Sequence, residues 1–91
     1  MKFEWDETKR ESNLSKHGVD FVDAALLLMG KPLIAQSPRP GSDAVRYVAV
    51  GAVNENLYTT VYTMRGNLYR IISVRSASRE EKQAYRVFLD P

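Results

Sequence analysis

The clearest pattern of hydrophobic and polar positions lies between residues 57 and 89. Two segments rich in β-branched and aromatic residues, LYTTVYTMR and LYRIISVRS, flank the dipeptide Gly66-Asn67. Such a dipeptide is typical of a two-residue hairpin loop. Ser78 and Glu81 then have the Ser-x-x-Glu spacing of a capping box, which marks the start of a helix. The stretch therefore predicts a β-hairpin followed by a helix that reaches about Leu89.

A two-residue loop sets a register that sorts the hairpin side chains into two faces. The expected pairs are Arg65 with Leu68, Thr63 with Arg70, Val61 with Ile72, Thr60 with Ser73 and Tyr58 with Arg75. We expect the face with Leu57, Thr59, Val61, Ile72 and Val74 to form the core, with Arg65 and Arg70 at its hairpin end. The opposite face carries Tyr58, Thr60, Tyr62, Met64, Tyr69, Ile71, Ser73 and Arg75 and is expected to be exposed. It suits single-stranded RNA, whose bases stack on aromatic rings, or reflects only the β propensity of tyrosine.

The rest of the chain predicts an α+β fold in which an antiparallel meander is packed on one face by N-terminal helices and followed by a C-terminal helix. The expected elements, in chain order, are an edge strand at residues 2–5, a helix from the N-cap Asp6 to His17, a second helix from Asp20 to Gly30, a strand at residues 33–35, a loop at the sequence PRPGSD and a strand at residues 45–53.

Composition places these elements in one domain covering residues 1–91. The chain has no apolar run near the ~20 residues of a membrane span and no signal-peptide core, so we expect a cytoplasmic protein that does not contact membranes. It contains no cysteine and one histidine. This composition excludes disulfides, a thiol nucleophile and a cluster of histidine or cysteine metal ligands.

Positive charge is concentrated at the C-terminal end. Residues 63–91 contain six basic and three acidic groups, whereas residues 1–30 contain four basic and six acidic groups. Five of the six basic groups are arginines, which suit fork-shaped recognition of phosphate. Alternatively, Arg70 pairs with an acid such as Asp6 or Glu11, and Arg75 pairs with Glu81.

Two further side chains have competing interpretations. His17 is a candidate for proton transfer because histidine is the residue type that normally titrates near neutral pH. Its place in the last turn of a helix also suits an interaction with the helix dipole. Tyr85 lies on the apolar face of the last helix with Phe88, which favours a core position.

Six motifs in order along the chain resemble the BrnT family of bacterial toxins. They are Phe3-x-Trp5-Asp6-x-x-Lys9, Asn13-x-x-Lys16-His17-Gly18-Val19-x-Phe21-x-x-Ala24, Arg46-Tyr47-x-x-x-Gly51, Tyr62-Thr63-x-Arg65, Arg70-Ile71-Ile72-Ser73-x-Arg75 and Glu81-x-x-x-Tyr85. Met64 and Val74 depart from the residue types expected at their positions.

The resemblance implies a RelE-like ribonuclease fold and a toxin of a type II toxin-antitoxin system that cleaves RNA, expected to be mRNA, and so inhibits translation. It also implies a BrnA-like antitoxin with a ribbon-helix-helix domain. The toxin would bind operator DNA only as part of a complex with that antitoxin. The alternative is a non-catalytic RNA- or antitoxin-binding module of the same fold that acts in transcriptional autoregulation.

For the nuclease we expect cleavage by the RNA 2′-hydroxyl, without metal or cofactor. The candidate catalytic residues are Arg65 and Arg75, which would stabilise the phosphorane, and His17 or Tyr62, which would transfer protons. The candidate RNA-binding residues are Lys16, Arg46, Arg79 and Tyr58.

Overall fold

The computed structural model describes residues 1–37 and 45–90, so the loop expected at PRPGSD lies outside the described residues. These residues form eight elements: β1 (Lys2–Glu4), α1 (Glu7–His17), α2 (Phe21–Met29), β2 (Leu33–Ser37), β3 (Arg46–Val53), β4 (Asn56–Arg65), β5 (Leu68–Ser76) and α3 (Arg79–Leu89). The predicted α+β class is confirmed. Within the described residues, no helix is long and apolar enough to cross a membrane.

The helices begin and end at the residues that the sequence indicated. The Asp6 side chain accepts hydrogen bonds from the backbone N–H groups of Thr8 and Lys9, and Gly18 ends α1 with a left-handed φ of 70°. Ser78 and Glu81 form the reciprocal hydrogen bonds of a capping box at α3. Because these signals depend on neighbouring residues only, local sequence predicts the boundaries well.

The five strands form one sheet in the order β1-β5-β4-β3-β2. Strands β2 to β5 are an antiparallel meander, and β1 adds to its edge by pairing in parallel with β5. The edge position expected for the N-terminal strand is confirmed.

The prediction of the core face is wrong, although Thr59 and Val74, two of its five expected members, are buried. Helix α2 packs on the side of the sheet that carries Tyr62, Ile71 and Val74, and Tyr62 is only 4% exposed. Its ring lies 5.4 Å from that of Tyr47 and 5.6 Å from that of Tyr69, measured between centroids. Aromatic rings bury large apolar areas, so in a small domain they contribute more to the core than valine and threonine do. The tyrosines therefore form part of the core rather than an exposed platform.

The predicted pairing of β4 with β5 is also partly wrong, because β5 contains a β-bulge. The pairs Arg65–Leu68 and Thr63–Arg70 are present, but Tyr62 pairs with Ile71 and Val61 pairs with Ser73, so that Ile72 is an additional residue in β5. The expected pairs of Val61 with Ile72, Thr60 with Ser73 and Tyr58 with Arg75 are consequently absent. The bulge shifts the alternation of side chains between the two faces by one residue. Beyond it, Val74 points to the face covered by α2, and Arg75 points to the opposite face.

Helix α3 covers one end of that opposite face. Tyr85 is buried there against Val50 and Ala77, and its hydroxyl donates to the Lys31 carbonyl at 3.3 Å. The expected core position of Tyr85 is confirmed. At the other end, α3 leaves the sheet uncovered, and we call this part the open face; it comprises Arg46, Thr63, Arg65, Arg70 and Ile72.

Candidate functional site

Strand β1 pairs only with the first part of β5, and α1 lies along the remaining edge of β5, where Asn13 fixes the helix. Strand β1 ends with Glu4 beside Arg70. Further along β5, the Asn13 side chain donates to the carbonyl of Val74 at 2.8 Å and accepts from the N–H of Val74 at 3.1 Å. It also donates to the carbonyl of Val19 at 3.0 Å. The amide therefore makes the two hydrogen bonds that a neighbouring strand would make with Val74, and it fixes α1 against β5.

A groove runs between α1 and the open face, and it consists of two adjacent pockets of about 230 Å³ each. The first, which we call the α1 pocket, is lined by Lys9, Ser12, Asn13, Lys16, His17, Ile72 and Ser73. The second, which we call the hairpin pocket, is lined by Lys9, Arg46, Thr63, Met64, Arg65, Arg70 and Ile72. Lys9 and Ile72 line both pockets, so the two pockets lie next to each other.

Among the residues that the structure describes, the lining of the groove contains several cations and no carboxylate. One acid lies next to it, because Glu4 pairs with Arg70 and lies 3.7 Å from the Arg65 guanidinium. The acid that pairs with Arg70 is therefore on β1, rather than Asp6 or Glu11. Among the described residues, Lys9, Lys16 and Arg46 form no ion pair. The groove consequently has unneutralised positive charge available for an anionic ligand.

Four of the predicted site residues lie in this groove. Lys16 and His17 contribute to the α1 pocket, and Arg46 and Arg65 contribute to the hairpin pocket. His17 is in the last turn of α1 and is exposed, so its imidazole is accessible to a ligand as well as close to the helix C-terminus. The structure thus brings one titratable side chain and three cations to the same side of the sheet.

Arg75 does not line the groove, because it is paired with Glu81 as the alternative interpretation expected. Its two terminal nitrogens donate to the two Glu81 carboxylate oxygens at 2.7 and 2.9 Å. The same carboxylate accepts from the Thr59 hydroxyl and from the Ser78 N–H. The Arg75 guanidinium, helped by these donors, lowers the pKa of Glu81 to about 2. Arg75 therefore ties the start of α3 to the sheet, and the neighbouring Arg79 is exposed outside the groove.

Tyr58 and Tyr62 lie on the helix-covered face and also do not line the groove. Tyr58 is half-buried against the core. Burial, together with the proximity of Tyr69 and Tyr47, raises the pKa of Tyr62 above its usual value. A buried phenol that ionises less readily is poorly suited to accept a proton from a ligand, so the geometry does not favour the predicted role of Tyr62.

The sequence reasoning missed three residues of the site. Lys9 and Asn13 appeared only as members of a motif, and Arg70 was expected at the end of the core. A signal was present for the first two, since Lys9, Asn13 and Lys16 follow the i, i+4, i+7 spacing of one helix face. In the described part of the chain, no group of three or more His, Cys, Asp or Glu side chains is arranged to hold a metal ion.

The fold and its cationic groove agree with what comparison with known families shows. The chain belongs to the ribonuclease toxins of type II toxin-antitoxin systems, since residues 5–81 match a family model described as a ribonuclease toxin of such a system. Within that class the family is BrnT, as the resemblance indicated, and it implies a RelE-like fold. No curated protein matches the chain.

Proposed function

We propose that this toxin cleaves single-stranded RNA, in the cell mRNA, in the groove between α1 and the open face, without a metal ion. The observation that carries the proposal is that His17 and Lys16 line one pocket and Arg46 and Arg65 line the pocket next to it. A phosphodiester is anionic at every step, and the reaction needs a proton acceptor next to cations. The groove offers both, and cleavage of messages there would stop translation.

The chemistry proposed is attack by the 2′-hydroxyl of the RNA on the adjacent phosphorus. Neutral His17 takes the hydroxyl proton, and the 2′-oxygen forms a bond to phosphorus to give a phosphorane. The bond from phosphorus to the 5′-oxygen of the next nucleotide then breaks; that oxygen takes a proton from solvent water, and His17 releases its proton to solvent, so no net proton is consumed. The products are a 2′,3′-cyclic phosphate and a 5′-hydroxyl end, so water is not consumed.

The groove cations have separate roles in this scheme. Arg46 and Arg65 in the hairpin pocket stabilise the charge that builds on the phosphorane oxygens, because guanidinium groups bind phosphate in a bidentate way. Lys16 in the α1 pocket holds the RNA backbone beside His17. Arg70 is held by Glu4 and supports the charge of the hairpin pocket.

We also propose the regulation that the family suggests. A BrnA-like antitoxin with a ribbon-helix-helix domain neutralises the toxin, and the toxin reaches operator DNA only through that antitoxin. Both RNA cleavage and neutralisation are then expected in the cytoplasm.

The test incubates the purified chain with end-labelled single-stranded RNA in EDTA and analyses the ends formed. We expect cyclic phosphate and 5′-hydroxyl ends. The Arg46→Ala/Arg65→Ala variant should abolish them, and His17→Ala should slow cleavage by roughly 10²- to 10⁴-fold, as for loss of a general base. Arg86→Ala, which removes an exposed arginine of α3, is the control for loss of charge and should cleave like the wild type.

The same assay decides among the remaining roles. Arg75→Ala, compared with the wild type at equal folded fraction, should retain cleavage if Arg75 only secures α3. A large loss of cleavage rate would instead indicate that Arg75 is catalytic. Cleavage that requires added metal would refute the metal-independent mechanism. Intact RNA, free and on ribosomes, would refute the nuclease and favour the non-catalytic binding module, provided that RNA still binds.

A further inference from the structure

Lys9 lies at the junction of the α1 pocket and the hairpin pocket. Within residues 1–37 and 45–90, it is the one cation that lines both pockets. Ile72, the additional residue of the β5 bulge, is the other member common to the two pockets. A ligand that occupies both pockets therefore lies against Lys9 and Ile72.

The local structure holds Lys9 in that position. It lies one turn before Asn13, whose hydrogen bonds to Val74 fix α1 on the edge of the sheet. Lys16 lies one turn beyond Asn13 on the same helix face, about 10 Å from Lys9 along the axis at 1.5 Å per residue. At that spacing we expect the two lysines to contact different phosphates of one strand.

The charge of Lys9 is also available to a ligand. The next residue, Arg10, is bound to Glu7 and Asp20, and Arg65 and Arg70 share Glu4. Lys9 is exposed and forms no ion pair within residues 1–37 and 45–90. Since binding an anion there requires no existing pair to be broken, Lys9 is the most accessible strong cation at the junction.

We propose that Lys9 is a catalytic residue that binds the scissile phosphate at the junction of the two pockets. The nucleotide 5′ to that phosphate occupies the α1 pocket, and the 3′ nucleotide occupies the hairpin pocket. This proposal rests on the nuclease function proposed above, since the attacking 2′-hydroxyl belongs to the 5′ nucleotide and His17 is in the α1 pocket. It adds the site of cleavage and the direction of the strand, which runs 5′ to 3′ from His17 towards the hairpin.

Binding is measured first, with a probe that cannot be cleaved. The probe is the dinucleotide UpU with a 2′-deoxy sugar at its 5′ nucleotide, which has one phosphate and no attacking hydroxyl. Titrated into ¹⁵N-labelled protein to millimolar concentration, it should shift the amides of Ser12 and Ser73 in the α1 pocket and of Thr63 in the hairpin pocket with a single Kd. Lys9→Gln should raise that Kd about tenfold or more, as expected for the loss of one charge-assisted hydrogen bond.

The matched control is Lys31→Gln, which removes an exposed lysine outside the groove and should change the Kd less than twofold. Shifts confined to one pocket, no shift at all, or equal Kd values for the two variants would overturn the proposal. These outcomes do not depend on cleavage, so they distinguish failure of the Lys9 assignment from failure of the nuclease function.

Cleavage is measured second, with RNA at saturating concentration. Lys9→Gln should lower the rate under those conditions, because Lys9 stabilises charge that grows in the transition state, and Lys9→Arg should recover part of it. A saturated rate equal to that of Lys31→Gln would overturn the catalytic role. If the wild type binds the probe across both pockets but cleaves no RNA, the nuclease function and the catalytic role of Lys9 both fail, and the phosphate position stands.

Discussion

Replacing Asn13 should destabilise the protein more than any substitution on the exposed side of α1. Asn13 is the one buried residue of that helix and makes three hydrogen bonds, two to Val74 and one to Val19. A net contribution of about 1 kcal/mol per hydrogen bond gives a loss of about 3 kcal/mol for Asn13→Ala. For a domain of this size that corresponds to a fall in Tm of roughly 12 to 24 °C.

Urea denaturation followed by circular dichroism measures the loss as a change in the midpoint at constant m. Ser15→Ala is the control, because Ser15 is exposed on the same helix and its hydroxyl makes no hydrogen bond within the described residues. It should change the free energy of unfolding by less than about 0.5 kcal/mol.

Asn13→Asp keeps the size of the side chain but removes its hydrogen-bond donors, so it tests the hydrogen bonds without a change in volume. A carboxylate still accepts from the Val74 N–H, but it faces the carbonyls of Val74 and Val19 without a proton to donate. We therefore expect a loss at neutral pH at least as large as that of the alanine variant. A loss below about 1 kcal/mol for either Asn13 variant would refute the reasoning that this amide secures α1.

Three further predictions concern other contacts. Glu81→Gln should lower stability at neutral pH, and the difference in the free energy of unfolding between this variant and the wild type should shrink as the pH falls from about 4.5 towards 2. The reason is that the depressed pKa of Glu81 stabilises the fold only while its carboxylate is charged. A difference that stays constant over that range in urea titrations would contradict this, and Glu80→Gln is the exposed control. Gly51→Ala should cost about 1 to 3 kcal/mol in the same assay, because the new Cβ would lie 2.9 Å from Cγ of the buried Leu27, and unchanged stability would show that α2 moves aside without cost. Glu4→Gln should tighten RNA binding severalfold at low salt and steepen its salt dependence, since it frees the two arginines that Glu4 pairs with; weaker or unchanged binding relative to Glu80→Gln would contradict this.

The boundaries of the elements were predictable because local chemistry determines them. Asp6, Gly18 and Ser78 act on backbone groups within a few residues, and Gly66 has the positive φ of 59° that the hairpin loop requires. The strand positions follow from the same kind of information. The arrangement of strands and helices was therefore largely accessible from the sequence.

The buried face was not accessible in the same way, because two long-range facts decide it. Both faces of the hairpin carry apolar side chains, so alternation alone does not identify the core. The bulge at Ile72 then reverses the alternation beyond it, and nothing in the local sequence marks its position. Tyr58 and Tyr62 were consequently chosen for a surface on which they do not lie.

The site was predictable by residue type but not by arrangement. Lys16, His17, Arg46 and Arg65 were chosen as cations and proton carriers, and they meet in the groove. The position of Lys9 in the groove depends on where α1 docks, which is set by a contact with a strand some sixty residues further along the chain.

That separation has a consequence for the order in which the toxin is made. Val74, which secures α1, lies 61 residues beyond Asn13. Strand β1 likewise has no strand to pair with until β5 has been made. A nascent chain emerges with its N-terminus first, so α1 leaves the ribosome long before the strand that completes the groove. Contacts of such high sequence separation also slow folding, because the loop between the partners must be closed first. The groove proposed to bind RNA is thus absent from the growing polypeptide until β5 has been synthesised and has paired with the N-terminal elements.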